Sequence, residues 1–78
     1  GKIIPMLDAR RMEVYSAVFD CRFAQVREIK AEIIDENSFS KYLENELIYF
    51  IGDGATKCKD VITHSNAVFI TETPTNKN

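Results

Sequence analysis

The order of secondary-structure patterns along the chain constrains its fold most strongly. Three strand-like segments precede the first helical one, and two helical segments then alternate with two further strands. Strands joined by short turns pair antiparallel, whereas strands joined through a helix pair parallel by right-handed crossovers. The order therefore predicts an α/β fold, βββαβαβ, with a mixed five-stranded sheet of spatial order 3-2-1-4-5.

Two strand-like segments open the chain and are joined by a polar turn. Residues 3–8 are apolar up to Asp8, which is typical of a strand buried on both faces. Residues 13–20 are rich in β-branched and aromatic side chains, with apolar residues on both faces. Between them, Arg10 and Arg11 mark the tip of a hairpin. We therefore expect these two strands in the interior of the sheet.

The third strand-like segment, residues 26–34, has a different pattern. Its side chains alternate between an apolar face and a charged face: Ile29, Ala31 and Ile33 against Glu28, Lys30 and Glu32. Such alternation is typical of a half-solvated strand, and its charges protect a sheet edge from pairing with other chains. We expect this strand at the antiparallel edge.

Helical spacing first appears after a group of capping residues at 35–38. It predicts a short helix over 38–46, which is followed by an apolar strand over 47–51. Apolar residues at helical spacing over 55–62 predict a second helix, and 67–70 form a last strand. This arrangement is that of the ribonuclease-H-like half-domain, the building block of the actin, sugar-kinase and Hsp70 ATPase superfamily.

Composition indicates one small folded domain and excludes several classes of protein. Ten Lys and Arg against 12 Asp and Glu in 78 residues leave a net charge of −2, which argues against a broad surface that neutralises phosphates. The longest apolar run has five residues, far short of the roughly 20 that cross a membrane. Two cysteines without metal-ligand spacing and no secretory signal favour a cytoplasmic protein. We expect a domain over 1–71 and a frayed tail over 72–78.

Two aspartates are candidates for metal-dependent chemistry. Asp8 ends the first strand and Asp53 follows the fourth, which lies beside the first in the proposed sheet. Carboxylates at the carboxyl ends of neighbouring strands are able to hold Mg²⁺, as in a nuclease of the ribonuclease-H type. In the alternative, structural interpretation Asp8 pairs with Arg10 or Arg11, and Asp53 caps the helix that begins at Gly54. We favour the latter because a two-metal site needs further carboxylates.

The turn Gly52-Asp53-Gly54-Ala55 joins a buried strand to a helix. Backbone N–H groups in such a turn are able to receive an anion, and the glycines permit its close approach. The segment lacks the Lys-Ser/Thr ending of a phosphate loop. A simple tight turn is the favoured interpretation, with a vestigial nucleotide contact at Gly52, Asp53 and Gly54 as the alternative.

Other polar residues carry weaker signals. Arg10 and Arg11 are candidates for contact with a phosphate or a partner's carboxylate, or they form an ordinary solvated turn. His64 is expected at the surface, and Cys58 in the core. Cys21 lies in a polar turn with no base beside it, so no nucleophile is expected there.

Residues 5–15 form the most distinctive stretch of the chain. They read Pro-Met-Leu-Asp-Ala-Arg-Arg-Met-Glu-Val-Tyr, which resembles the hairpin signature of the bacterial TsaB (YeaZ) family, approximately Pro-x-Leu/Ile-Asp-Ala-Arg-x-x-Glu-Val-Tyr. Residues 51–55, Ile-Gly-Asp-Gly-Ala, are similar to the strand-to-helix turn of that family. The resemblance extends over residues 3 to about 70 and covers only the second of the family's two tandem half-domains.

The resemblance implies a role in making N6-threonylcarbamoyladenosine at position 37 of tRNA. TsaB proteins are inactive paralogues of the catalytic subunit TsaD, which they support together with the ATPase TsaE. The resemblance therefore implies a non-catalytic scaffold with no cofactor and no metal, which meets tRNA indirectly, through its complex. Arg10 and Arg11 are the candidates for any contact of this half with a partner or with tRNA. The family is also described as M22 glycoprotease-like, but a single His64 cannot rebuild the metal site of TsaD-type relatives.

Because the resemblance covers only the second half-domain, it implies two consequences. The family's main dimerisation surface lies in its first half, so the 78 residues alone are expected to be inactive and to bind TsaD poorly. Their sheet is expected to lack part of its cover, and exposed apolar surface favours self-association.

Overall fold

A computed structural model describes residues 1–70 of the chain, which form a five-stranded mixed sheet and two short helices. The elements, in chain order, are β1 (Lys2–Arg10), β2 (Glu13–Phe19), β3 (Gln25–Ile33), α1 (Ser40–Leu43), β4 (Ile48–Ile51), α2 (Asp53–Cys58) and β5 (Ala67–Ile70). The sheet order is β3-β2-β1-β4-β5, which confirms the predicted α/β topology. The tail expected over 72–78 lies outside the described residues.

Strand directions follow from the connections. The hairpin strands β1, β2 and β3 pair antiparallel, whereas β1, β4 and β5 pair parallel. The register shifts between Asp8 and Arg10 and again near Val18, where extra residues bulge out of the ladder. As predicted, β3 lies at the antiparallel edge and β2 in the interior.

One face of the sheet carries the main hydrophobic cluster. Alternate residues of the central strands are fully buried there, among them Ile4, Met6, Val14, Val18 and Phe50. Side chains from both helical segments join the same cluster, so both segments cover this face. The residues that cover this face are Phe39, Leu43, Ala55, Cys58 and Ile62.

The opposite face, here called the open face, has no helix over it within residues 1–70. Cross-strand register places on it Ile3, Pro5 and Leu7 of β1, Tyr15 and Phe19 of β2, Ile29, Ala31 and Ile33 of β3, Tyr49 and Ile51 of β4, and Val68 and Ile70 of β5. Leu7 is 55% exposed. The expectation that β1 is buried on both faces is therefore wrong. The strand is apolar on both faces, but the described residues cover only one of them.

Both helices are shorter than predicted. The first begins at Ser40 rather than 38 because Phe39 has a φ of 64°, outside the right-handed helical region. The second ends at Cys58, and Ile62 reaches the core through a turn in which its N–H donates to the Cys58 carbonyl. Apolar spacing thus identified the buried side chains correctly but overstated helix length. No helix among residues 1–70 is long and apolar enough to span a membrane.

Candidate functional site

The carboxyl ends of β1 and β4 bring Asp8 and Asp53 together, as the strand order predicts. The backbone N–H of Asp8 donates to Asp53 Oδ1 at 2.9 Å. Asp53 is the first residue of α2, and the N-cap position is occupied by Gly52, with no side-chain capping hydrogen bond. The expectation that Asp53 caps the helix is therefore wrong, because its carboxylate is directed to the neighbouring strand instead.

Lys57 completes this site and was not singled out from the sequence. Its ammonium group contacts Asp8 Oδ1 and donates to the Glu13 carbonyl at 2.8 Å. The expectation that Asp8 pairs with Arg10 or Arg11 is therefore wrong, since Lys57 takes that place. The signal was present: Lys57 follows Asp53 by four residues, so both lie on one face of the helix.

The three side chains join α2 to the β1–β2 hairpin. Both carboxylates already accept hydrogen bonds or pair with a cation, and Mg²⁺ prefers a nearly complete octahedron of oxygen ligands. Among residues 1–70 no group of three or more His, Cys, Asp or Glu is placed to hold a metal ion. A cation at Asp8 would have to displace Lys57. The arrangement is chemically a latch between two elements.

Close packing explains the two glycines of the turn. Gly52 has a φ of 97°, and a Cβ there would lie 2.4 Å from the carbonyl oxygen of Met6. At Gly54, which is buried, a Cβ would approach Leu7 and Val14 to 3.1 Å. These contacts show that the start of α2 lies directly against β1. The glycines are needed for this approach, whether or not an anion binds.

Arg10 and Arg11 project from the tip of the hairpin, as predicted. Both are exposed, and Arg11 has a φ of 42°, which is typical of a tight turn. Neither guanidinium forms an ion pair with another residue in the described part of the chain.

A second polar cluster, also not anticipated, lies between β2, β3 and the start of α1. Arg27 Nη2 donates to the hydroxyl of the buried Ser16 at 2.8 Å and lies 3.3 Å from Glu32 Oε1. The guanidinium carbon also lies 5.9 Å from the ring centre of Phe39. Nη1 is buried without a hydrogen-bond partner among residues 1–70. A serine within an otherwise apolar strand was the sequence signal for this cluster.

The remaining reactive side chains are where the sequence predicts them. Cys58 is buried, and burial raises the pKa of its thiol. Cys21 is exposed. His64 is exposed in a turn, where its Nδ1 accepts a hydrogen bond from the Asn66 backbone at 3.0 Å. Within residues 1–70, none of these groups is paired with a second residue in the manner of a nucleophile and its base.

Comparison with known proteins gave no match to a family model, a curated protein or a solved structure. Function is therefore inferred from the residues and geometry of this chain.

Proposed function

We propose that this chain is a non-catalytic scaffold: the second, ribonuclease-H-like half-domain of a TsaB-like protein that supports tRNA threonylcarbamoylation. Two features support the proposal. The sheet order β3-β2-β1-β4-β5 is the one expected for such a half-domain. The hairpin formed by β1 and β2 carries the segment, residues 5–15, that resembles the TsaB signature.

The observation that carries the scaffold role is the Lys57 latch. The two carboxylates best placed for catalysis, Asp8 and Asp53, are occupied in holding α2 against the hairpin. Metal binding by this pair of carboxylates would require Asp8 to exchange Lys57 for the cation. Here both groups have structural partners, so the proposed role of the chain is to maintain a shape that other proteins bind.

In the proposed assembly the partners are a TsaD-like catalytic subunit and a TsaE-like ATPase, reached through the full-length protein in the cytoplasm. Transfer of the threonylcarbamoyl group would take place on the TsaD-like subunit. The exposed Arg10 and Arg11 are the charged groups on this half that are suited to a partner's carboxylate or a tRNA phosphate. The 78 residues alone are proposed to be inactive.

A metal-dependent nuclease or phosphotransferase is the alternative, and one observation favours it. Asp8 and Asp53 do lie side by side at the carboxyl ends of adjacent strands, the usual place for ligands in open α/β sheets. That function requires a divalent cation to replace Lys57 at Asp8. Mg²⁺ or Mn²⁺ would then raise the thermal stability of the chain by binding only the folded state.

The decisive experiment measures the modified nucleoside in cells. In the full-length gene, Gly52→Val is expected to unfold this half and to lower N6-threonylcarbamoyladenosine in tRNA, quantified by mass spectrometry of nucleosides. The matched variant Thr56→Val, at an exposed position of α2, should leave the level unchanged. A normal level in Gly52→Val cells, with the half-domain confirmed as unfolded, would exclude the proposal.

A second measurement separates the two functions. Titration with Mg²⁺ and Mn²⁺ is expected to leave the melting temperature of wild-type protein where it is. Clear stabilisation that disappears in Asp8→Asn would favour the metal-dependent enzyme and count against the scaffold.

A further inference from the structure

We infer that a pocket between β3 and α1 binds a small phosphate monoester. The inference is independent of the threonylcarbamoylation role, since it rests on the charges and the shape of this pocket alone. The pocket has a volume of about 300 Å³, at the small end of the range for ligand sites. Residues of β3, of α1 and of the turn before α1 line it.

The lining of the pocket is positively charged, although the chain as a whole is acidic. Three cationic side chains, Arg27, Lys30 and Lys41, stand against one carboxylate, that of Glu32, which leaves a net charge of +2. The whole chain has a net charge of −2. Positive charge concentrated in a concave site attracts anions. A doubly charged phosphate monoester matches the lining, whereas a carboxylate carries only half the charge.

Arg27 is the least exposed of the three cations and is held in place by protein contacts. Its Nη2 donates to the Ser16 hydroxyl at 2.8 Å and lies 3.3 Å from Glu32 Oε1. Its Nη1 is buried and has no hydrogen-bond partner among residues 1–70. Native structures rarely leave a buried donor without an acceptor, and a bound ion is one explanation for such a group. Phosphate oxygens are among the strongest acceptors for a guanidinium.

The register of β3 places Lys30 beside this guanidinium. Lys30 is the cross-strand partner of Ser16, the residue to which Arg27 is hydrogen-bonded. Residues directly opposite each other in a sheet project from the same face. Ser16 faces the helices, so Lys30 and Arg27 both project toward the side on which α1 lies. Two cations of β3 therefore meet at one pocket.

The α1 segment supplies the third cation and several neutral polar groups. Lys41 Nζ lies 5.2 Å from the ring centre of Tyr42, a cation–π contact that holds the ammonium at the pocket. The side chains of Asn37 and Ser40 add an amide and a hydroxyl to the lining. The carboxylate of Asp35 accepts the Asn37 N–H at 2.8 Å and belongs to a neighbouring pocket. The tyrosine ring offers apolar surface to the organic part of the ester.

The test is an amide NMR titration of the 78-residue chain with phenyl phosphate. At about pH 8 this probe is a dianion, because the second pKa of a phosphate monoester is about 6. We expect saturable shifts confined to residues 27–32 and 37–42, with a dissociation constant of about 1 mM or lower. Dimethyl phosphate carries one charge and should bind at least about fivefold more weakly.

Substitution of the lysines identifies the site. Lys30→Gln and Lys41→Gln should each raise the dissociation constant at least about threefold, and the double variant at least about tenfold. Lys59→Gln is the matched control, because it changes the net charge equally at an exposed position outside the pocket lining, and it should bind as wild type does. Circular dichroism shows whether each variant folds, and the single variants replace the double one should it be unfolded.

Three results would overturn the inference. The first is the absence of saturable shifts up to tens of millimolar phenyl phosphate. The second is equal affinity for dimethyl phosphate, since the site would then not select a dianion. The third is unchanged binding by folded lysine variants, or an equal loss in Lys59→Gln, because binding would then reflect another site or the overall charge of the chain.

Discussion

Arg27 donates a hydrogen bond of 2.8 Å from Nη2 to the hydroxyl of Ser16, across the β2–β3 pair. Ser16 is fully buried within an apolar core, so this bond satisfies a polar group that has no access to water. The same guanidinium lies beside Glu32 and over the ring of Phe39. One long side chain thus joins the edge strand β3 to β2 on the face of the sheet that the helices cover.

Replacement of Arg27 by methionine should destabilise the chain by about 2–3 kcal/mol, because it leaves Ser16 and Glu32 without their partner. Chemical denaturation measures the change. In a double-mutant cycle with Ser16→Ala, the two losses should not add, since both remove one interaction. Arg27→Lys should recover only part of the stability because an ammonium does not reproduce the planar guanidinium. Fully additive losses would show that the two residues act separately.

Replacement of Lys57 by methionine should release α2 from the hairpin. We expect a loss of about 1–2 kcal/mol, since a hydrogen bond to Glu13 and an ion pair with the half-exposed Asp8 are removed together. Amide hydrogen exchange should increase in α2 and at Asp8 before the rest of the sheet. Lys59→Met is the control, because Lys59 is exposed just past the helix. Equal destabilisation by both variants would contradict the latch.

Replacement of Gly52 by alanine should lower the free energy of unfolding far more than the addition of one methyl group suggests. The positive φ of Gly52 is in a region that is essentially restricted to glycine, and its Cβ would collide with the Met6 carbonyl. We expect a loss of about 3 kcal/mol or more, measured by thermal and chemical unfolding. Thr56→Ala, at an exposed position of α2, should change stability by less than about 0.5 kcal/mol. A well-folded Gly52→Ala protein of wild-type stability would contradict the described turn.

The Lys2–Glu46 pair should make stability depend on pH at both extremes. Its hydrogen bond raises the pKa of Lys2 above 10.5 and lowers the pKa of Glu46 below 4.5. Because Glu46 has the lower pKa in the folded state, its contribution is present above pH 4.5 and disappears as pH falls through that lowered pKa. The Lys2 contribution is present below pH 10.5 and disappears as pH rises through the raised pKa.

Unfolding free energies of wild type and Glu46→Gln across the pH range measure this linkage. The two proteins should differ near neutral pH and converge in acid. The difference should also shrink at high salt, because both side chains are partly exposed. A difference that stays constant down to pH 2 would assign the effect of the substitution to packing.

The sheet topology was predictable because it follows from the order of local patterns and from the handedness of crossovers. The position of β3 at the edge and the burial of Cys58 were also predictable from the sequence. The first depends on side-chain alternation and the second on helical spacing. The site was predictable only in part. The closeness of Asp8 and Asp53 follows from strand order, whereas the role of Lys57 depends on how α2 is placed over the hairpin.

Local sequence, then, determined which segments become strands, which residues share a face, and that the strands form a mixed α/β sheet. Only the tertiary structure decided that both helices cover the same face and that the apolar side of β3 points away from them. The physical reason is that side-chain alternation along a strand shows which residues share a face of the sheet. It does not show which element packs against either face. That choice is made by long-range contacts, here the bond from Arg27 to Ser16 and the contact of Lys57 with Asp8.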